Sequence, residues 1–434
     1  MRKLKRSGLW CVVVIAVLLC LAPQNVIASE VPDKWAAEEE LAAINDATLI
    51  LEMYPSMNKS GKTTIHWYSD WGILNMNTSV VQYEFQIAKD KNFKNAKTYT
   101  ASQEQVSINK KYFGTNGGKY YCRVRAWGVS ETGEKRYSAW SGTEEYTFLK
   151  INKTNFPGLY TLLKNGGEYR EYTASGKPYV CKVKYDGNKD LWLDPDELYH
   201  ITRLTTVSYD KTRNGQPYSV PTCTVSNLKG IENFPNLVMV KLAQYSGKTM
   251  DLSKTNVTAV RVEGITATQF TLNAPDATDV YVAGSPSKRL RKVNLSKCGR
   301  ARSLQVDGNT ATTQLKLPTR KKALVSLSIS KLNVKSINLN SYTNLRELYF
   351  YECGINKPGV NKCKKLQYLY FYYCDNMKKL DVRANKKLTG MDFYYCDGIQ
   401  KTQVKTPKKT KVTYNKGKWW YQTKAWQRLR DSII

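Results

Sequence analysis

Apolar residues recur at intervals of 20 to 24 positions along the second half of the chain. The stretch from Leu345 to Cys396 contains the pattern L-x-x-L-x-F-x-x-C three times, with Met391 as the second apolar residue of the last copy. Eight units fit the template, beginning at Leu237, Val257, Ala277, Ala301, Leu324, Leu345, Leu366 and Leu388. A single unit cannot bury its own leucines, so the pattern predicts a stack of coils over residues 205–400.

Alternation within each repeat predicts a strand with leucines facing inward and the flanking residues facing outward. In the last three repeats the outward positions include six tyrosines: Tyr349, Tyr351, Tyr368, Tyr370, Tyr372 and Tyr394. Tyrosine buries a large area with few rotatable bonds and is common on recognition surfaces. We interpret these six residues as a ligand-binding face. The alternative is a ladder of rings that stabilises the sheet through cross-strand contacts.

A second short apolar pattern in each repeat, as in "MKKLDVRAN" and "KSINLNSY", predicts an extended segment on the opposite side of the coil. Cys353, Cys374 and Cys396 end the last three templates, and we interpret them as buried core residues. The sequence does not decide whether Cys181 and Cys223 form a disulfide. No C-x-x-C pair or histidine cluster indicates zinc.

Short apolar runs separated by turn residues fill positions 48–150 and predict a β-sandwich. In "YYCRVRAW" Tyr120, Cys122, Val124 and Ala126 share the predicted inner face. Cys122 is therefore expected to be a small core residue and not a nucleophile.

This region resembles a fibronectin type III domain. Trp67 matches the buried tryptophan of the second strand of that family, and Tyr120 begins its Y-x-V-x-V-x-A strand, with Cys122 replacing the first valine. "SAWS" at 138–141 is similar to the last-strand signature. The resemblance implies a spacer or adhesion module without chemistry of its own.

Residues 151–204 are predicted to form a small helical cap. The segment "INKTNFPGLYTLLKN" predicts a helix capped by Asn155. In "DGNKDLWLDPDE" oxygen-bearing side chains occupy positions 1, 3, 5, 9 and 12 of an EF-hand loop, namely Asp186, Asn188, Asp190, Asp194 and Glu197. They are the candidate calcium ligands. Leu191 stands where glycine normally makes the turn, and the alternative is a loop that only joins two helices.

The cap and the repeats together resemble exported bacterial leucine-rich-repeat proteins of the internalin type. The matching pieces are Asn152–Pro157, Asp186–Glu197 and Leu228–Leu237. The resemblance implies a leucine-rich-repeat solenoid with a small helical cap; in this sequence the fibronectin-like sandwich comes first, so the expected fold class is mainly β. It also implies recognition of a protein or glycan on a cell surface.

The two ends of the chain have distinct compositions. Residues 1–28 combine basic residues, an apolar run from Leu9 to Ala22 and a small-residue end, which is typical of a secretory signal peptide and predicts export. Residues 29–47 are expected to be a linker. Residues 401–434 are basic, and "VTYNKGKWWY" predicts a hairpin that turns at Asn415 to Gly417 and caps the last coil. Trp419, Trp420 and Trp426 are predicted to cover that coil; the alternative is a tail that touches acidic surfaces.

Positive charge is concentrated in the C-terminal half. The formal net charge is +31, and residues 288–434 hold 33 Lys and Arg against 8 Asp and Glu, a net +25. Such a half attracts anionic polymers within about 10 Å at moderate salt. We expect wall phosphopolymers or sulfated glycans as partners and regard nucleic acid as less favoured. The alternative is that the charge serves solubility alone.

Nothing in the sequence indicates catalysis. His66 and His200 are the two histidines, and no G-x-S-x-G, H-E-x-x-H or phosphate-loop pattern occurs. We therefore predict no enzymatic activity and no cofactor beyond the calcium ion. The leading hypothesis is a secreted or cell-surface recognition or adhesion protein that binds through the concave face of the repeats. The alternatives are a structural surface spacer and a glycan-active enzyme, whose paired carboxylates need share no motif.

Overall fold

The computed structural model describes residues 44, 47–69, 81–129, 133–213 and 216–415. The predicted signal peptide, nearly all of the predicted linker and the tryptophans of the predicted C-terminal cap lie outside these residues. Within the described ranges, no helix is long and apolar enough to span a bilayer.

The first unit is a sandwich of two antiparallel sheets. One sheet has the order β1-β2-β5, and the other has the order β8-β6-β3-β4 with β7 beside β6. The strands are β1 Leu49–Leu51, β2 Lys62–Ser69, β3 Gln82–Ala88, β4 Lys97–Ala101, β5 Gln105–Asn109, β6 Gly117–Val129, β7 Lys135–Tyr137 and β8 Glu144–Lys150. A 3₁₀ turn, Lys110–Phe113, joins β5 to β6.

Both sheets contribute to one core. Cys122, Val124 and Ala126 are fully buried and Tyr120 is 1% exposed, as the alternation predicts. The Trp67 ring stacks on Phe85 with centroids 5.9 Å apart.

The segment after the sandwich differs from the predicted helical cap. It contains two six-residue helices, α1 Tyr160–Asn165 and α2 Pro195–His200, and between them a hairpin, β9 Gly167–Tyr172 with β10 Pro178–Val183, and a short strand, β11 Trp192–Leu193. The Asn155 cap is wrong. Leu159 precedes α1 without a side-chain cap, and the Asn155 amide donates instead to the backbone carbonyl of Lys150 at 2.9 Å.

A solenoid of about eight coils follows. Its front is a parallel sheet of ten strands: β12 Arg203–Thr205, β15 Met239–Leu242, β17 Ala259–Ile265, β19 Asp279–Gly284, β21 Ser303–Asp307, β23 Ser326–Ser330, β25 Glu347–Tyr351, β27 Tyr368–Tyr372, β29 Gly390–Tyr394 and β31 Lys411–Asn415. The eight predicted repeats supply β15 to β29. A hairpin, β13 Val207–Arg213 with β14 Gln216–Pro221, leaves the first coil.

The second apolar pattern forms short parallel strands on the opposite side of the coils. They are β16 Thr249–Asp251, β18 Gln269–Asn273, β20 Lys292–Asn294, β22 Gln314–Lys316, β24 Ser336–Asn338, β26 Lys357–Gly359, β28 Leu380–Asp381 and β30 Val404–Lys405. Two 3₁₀ turns, Ile231–Asn233 and Lys401–Gln403, complete the elements.

The last strand corrects one expectation. Residues 411–415 are predicted as one arm of a hairpin in the C-terminal cap, but they pair in parallel with β29, Met391 beside Val412 and Phe393 beside Tyr414. Their spacing from the previous strand equals one repeat, so the chain adds another coil there. The predicted turn itself lies outside the described residues.

Identical inward positions stack from coil to coil. Phe350, Phe371 and Phe393 lie nearly parallel, with centroids 5.4 and 5.2 Å apart. The buried Asn385 amide donates to the carbonyls of Val360 and Cys363, which satisfies turn carbonyls of the previous coil.

The cysteines of the repeats lie at the ends of the strands. Cys353 and Cys374 are buried and Cys396 is half-buried. All eight cysteines in the described ranges are free thiols, Cys181 and Cys223 included.

Candidate functional site

Tyrosines cover the outer side of the front sheet on its last coils. Parallel pairing places Tyr349 beside Tyr370, and it places Tyr372 between Tyr351 and Tyr394. We call the tyrosine face the set Tyr349, Tyr351, Tyr368, Tyr370, Tyr372, Tyr373, Tyr394 and Tyr395. These side chains cluster separately from the solenoid core, so they lie outside the coils, as the alternation predicts.

Neighbouring rings of the tyrosine face are stacked. Tyr349 and Tyr370 have centroids 4.7 Å apart and planes 11° apart, and Tyr372 and Tyr394 have the same separation with planes 10° apart. Tyr373 stacks on Tyr395 at 4.9 Å and 2°. In-register parallel strands lie about 4.8 Å apart, so equal side chains in adjacent coils meet face to face.

Stacking buries most of the strand tyrosines. Tyr349, Tyr370, Tyr372 and Tyr394 are 4–6% exposed, whereas Tyr351 and Tyr368 are half-buried. Burial, reinforced by Glu347, raises the pKa of the Tyr349 phenol above its ordinary value. Four of the six predicted binding residues therefore present little ring surface to solvent, and the stack has the geometry of the alternative ladder. Ligand binding by the six residues stays a prediction.

Two residues of the tyrosine face are missed by strand alternation. Tyr373 and Tyr395 follow β27 and β29 and have positive φ values of 53° and 50°. A left-handed residue breaks the alternation, so their rings join the tyrosine face and are half-buried. The repeated letters "YYC" are the signal that could have identified them.

Beside the tyrosine face the front sheet is polar. Ser326, Ser328 and Ser330 are 4–9% exposed, and the larger Glu347, Tyr349 and Tyr351 of the next coil stand beside them. On the far side Asp307 is desolvated, which raises the pKa of its carboxyl, and the Lys331 ammonium lies 3.9 Å away.

The predicted calcium loop is stabilised by its own backbone. Asp186 accepts hydrogen bonds from the amides of Asp190 and Leu191 at 3.1 and 3.0 Å, and Asn188 accepts one from Asp190 at 2.9 Å. Leu191 has a φ of 65°, the left-handed conformation expected where glycine is replaced.

The two C-terminal members of the calcium set form the cap of α2. Asp194 accepts from the amides of Glu197 and Met57 at 2.9 and 2.6 Å, and Glu197 accepts from those of Gly187 and Asp194. Burial raises the pKa of Asp194 to about 6 and that of Glu197 to about 8. No group of three or more His, Cys, Asp or Glu in the described ranges is arranged to hold a metal. Calcium binding by the five residues stays a prediction.

Lysines border the tyrosine face only in part. Lys364, Lys365, Lys386 and Lys387 lie in the turns before the front strands and are exposed. Lys357 lies in β26 on the opposite side of the coil.

None of the protein-family models matches this sequence, and none of the curated proteins does. The structure is similar in part to the functional domain of InlJ from Listeria monocytogenes, which includes a cysteine ladder. The identity is 12%, the TM-score is 0.26, and the match covers 62% of this chain and 70% of that chain.

A second similarity is to the pectate lyase PelI from Erwinia chrysanthemi in complex with tetragalacturonic acid. The identity is 12%, the TM-score is 0.15, and the match covers 85% of this chain and 99% of that chain. At these TM-scores neither likeness carries an argument about function. The repeat solenoid rests on the strand registers given above.

Proposed function

We propose that the chain is an exported recognition or adhesion protein that binds a protein or glycan partner through the tyrosine face. A fibronectin type III-like sandwich would act as a spacer, and the coils would be leucine-rich repeats of the internalin type. The observation that supports the proposal is an aromatic cluster on the outside of the solenoid, separate from its core.

Stacking defines how such a face would bind. The buried rings hold the half-buried Tyr351, Tyr368, Tyr373 and Tyr395 in place, so little side-chain entropy would be lost on contact. Tyrosine edges and hydroxyls contact both proteins and sugars, because one end of the ring is apolar and the other is polar.

The test compares two triple tyrosine variants. Replacing Tyr351, Tyr373 and Tyr395 by Ser should abolish retention on a printed glycan array, or on intact epithelial cells assayed before and after trypsin treatment. The matched control replaces Tyr137, Tyr172 and Tyr179, which are 37–45% exposed elsewhere, and should bind normally. Equal retention by wild type and the first variant would refute the proposal.

A structural spacer is the second candidate, and the stacked rings favour it. Aromatic pairs contribute about 0.5–1.5 kcal/mol each beyond their buried area. Replacing Tyr349, Tyr370 and Tyr372 by Ser should therefore lower the melting temperature. If the melting temperature falls in this variant, and no partner is found whose binding depends on the half-buried tyrosines, the protein is better described as a spacer. The same array, analysed for released sugars, tests the glycan-active enzyme.

A further inference from the structure

A basic groove runs along one edge of the front sheet, where the chain enters the strands. It has a volume of about 780 Å³ and is lined by residues of five successive coils. Its cations are four arginines, Arg300, Arg302, Arg320 and Arg346, and three lysines, Lys321, Lys322 and Lys365. All seven side chains belong to exposed residues.

The backbone places these cations in rows. The amide of Val325 donates to the carbonyl of Arg302 at 2.8 Å, and the amide of Arg346 donates to that of Val325 at 2.8 Å. Arg302 and Arg346 therefore occupy the same position two coils apart, roughly 10 Å along the solenoid axis. The Asn344 amide, which donates to the Lys322 carbonyl at 2.6 Å, ties the intervening turn to the same edge.

Counter-charges are scarce in the groove. No Asp or Glu lines it. Of the seven cations, only Arg300 has a carboxylate within 4 Å in the described ranges, that of Asp276 at 2.9 Å. Protein surfaces normally intersperse both signs, because like charges repel and lower stability. Six cations without an ion-pair partner in the described part of the chain favour an anionic ligand.

The groove is enriched in arginine, which separates it from a general excess of charge. Residues 288–434 hold 9 Arg and 24 Lys. The groove contains four of these arginines and three of the lysines, so outside it arginine supplies only 5 of 26 cations. A lysine-rich surface suffices for solubility, whereas the planar guanidinium matches tetrahedral oxyanions with two parallel hydrogen bonds.

The rest of the lining argues against single-stranded nucleic acid and against a membrane. Besides its cations, the groove has only Thr278, Gly299, Ala323, Val325 and Asn344. No aromatic ring lines it to stack on bases, and no large apolar side chain there could enter a bilayer. Gly299 leaves room for Arg320, because a Cβ there would lie 3.1 Å from the Arg320 Cδ.

We infer that this groove binds a linear polysaccharide carrying sulfate or phosphate esters, with the polymer lying across the coils. The inference rests on the proposed function and deepens it by giving the basic half a definite site and ligand class. It does not require ligand binding by the tyrosine face, whose rings lie on the outer side of the same sheet, although Lys365 lies in a turn near both.

The experiment measures binding of the full chain to a heparin oligosaccharide and to a phosphorylated mannan oligosaccharide at several salt concentrations. Replacing Arg302, Arg320 and Arg346 by Ser should weaken binding at least tenfold. It should also reduce the slope of log affinity against log salt by about two to three, because binding through fewer cations releases fewer counterions from the polymer. The polymer that binds more tightly identifies the ester.

A matched control removes the same charge elsewhere. Lys292, Lys316 and Lys357 are exposed on the opposite strands, and replacing them by Ser should weaken binding less than threefold. Equal losses in the two triple variants would mean diffuse attraction and would overturn the inference. Tighter binding of an oligothymidylate than of both polysaccharides would overturn it as well.

Two further variants distinguish the groove from charge alone and from the tyrosine face. Changing the three groove arginines to Lys keeps the charge, so the salt slope should stay unchanged while the affinity falls. This variant also tests the inference if the Ser variant does not fold. The Tyr351, Tyr373 and Tyr395 variant should bind heparin normally. Loss of heparin binding in that variant would contradict a separate groove, whereas normal binding with lost cell retention supports both sites.

Discussion

Left-handed residues mark the same position in four consecutive coils. Lys331, Glu352, Tyr373 and Tyr395 each follow a front strand with φ between 49° and 54°. None of them is glycine, and an L-residue in this conformation costs roughly 1–2 kcal/mol. The coils retain this left-handed conformation because it directs the side chain of the following residue toward the solenoid core. At Tyr373 and Tyr395 it also brings a ring onto the tyrosine face.

Replacing Glu352 by Gly should relieve this strain. Glu352 is exposed, and its φ is 49°. Glu352→Ala is the matched control, because it removes the same carboxylate but keeps the Cβ. We expect the Gly variant to be more stable than the Ala variant by about 1 kcal/mol, measured as a higher urea midpoint. The reverse order would show that the position is not strained.

At the scale of elements, the coils were predictable because their inward apolar residues recur every 20 to 24 positions. Outward residues were assigned to the correct side, but their stacking was not decided, since it depends on strand register and ring orientation. The hairpins 167–183 and 207–221 were missed because they lie before the first predicted repeat, at Leu237, and share none of its letters. The basic groove was invisible for a related reason: its cations are spread over 66 positions, from Arg300 to Lys365, and only the coil brings them together.

The loop at 186–197 is an element whose sequence match leaves its chemistry undecided. Its residues occupy EF-hand positions, yet Asp194 and Glu197 serve as the capping box of α2. A cap requires the same oxygens that a cation would take. The spacing alone does not show which use prevails.

Calcium should leave the melting temperature unchanged. The carboxylate oxygens of Asp186, Asp194 and Glu197 already accept hydrogen bonds from backbone amides, so a cation would compete with these amides for the same oxygens. Scanning fluorimetry with millimolar calcium, with magnesium and with chelator tests this expectation. A rise specific to calcium that disappears in Asp186→Asn would contradict it and would restore the site.

At the scale of the whole molecule, two adjacent residues connect the sandwich to the solenoid. Trp192 packs in the sandwich core, near Phe113 at 6.3 Å, whereas Leu193 packs in the solenoid core. Their strand β11 extends the sandwich sheet by pairing with β8. Nearby, the Met57 amide donates to Asp194, and the Asn188 amide donates to the Met57 carbonyl. Unfolding of one unit therefore removes core contacts from the other.

This coupling predicts different effects for two core substitutions. Replacing a buried aromatic side chain by Ala costs roughly 3–5 kcal/mol. Phe85 is fully buried in the sandwich, and Phe85→Ala should lower the temperature of a single calorimetric unfolding transition without splitting it into two. Trp192→Ala should divide it, because it destabilises the sandwich and also removes the side chain that the solenoid segment inserts there. Undivided transitions in both variants would show that β11 and the bonds around Met57 couple the units without the ring. Two transitions already present in the wild type would show that the units unfold independently, so that a partner bound at the coils could not stabilise the sandwich.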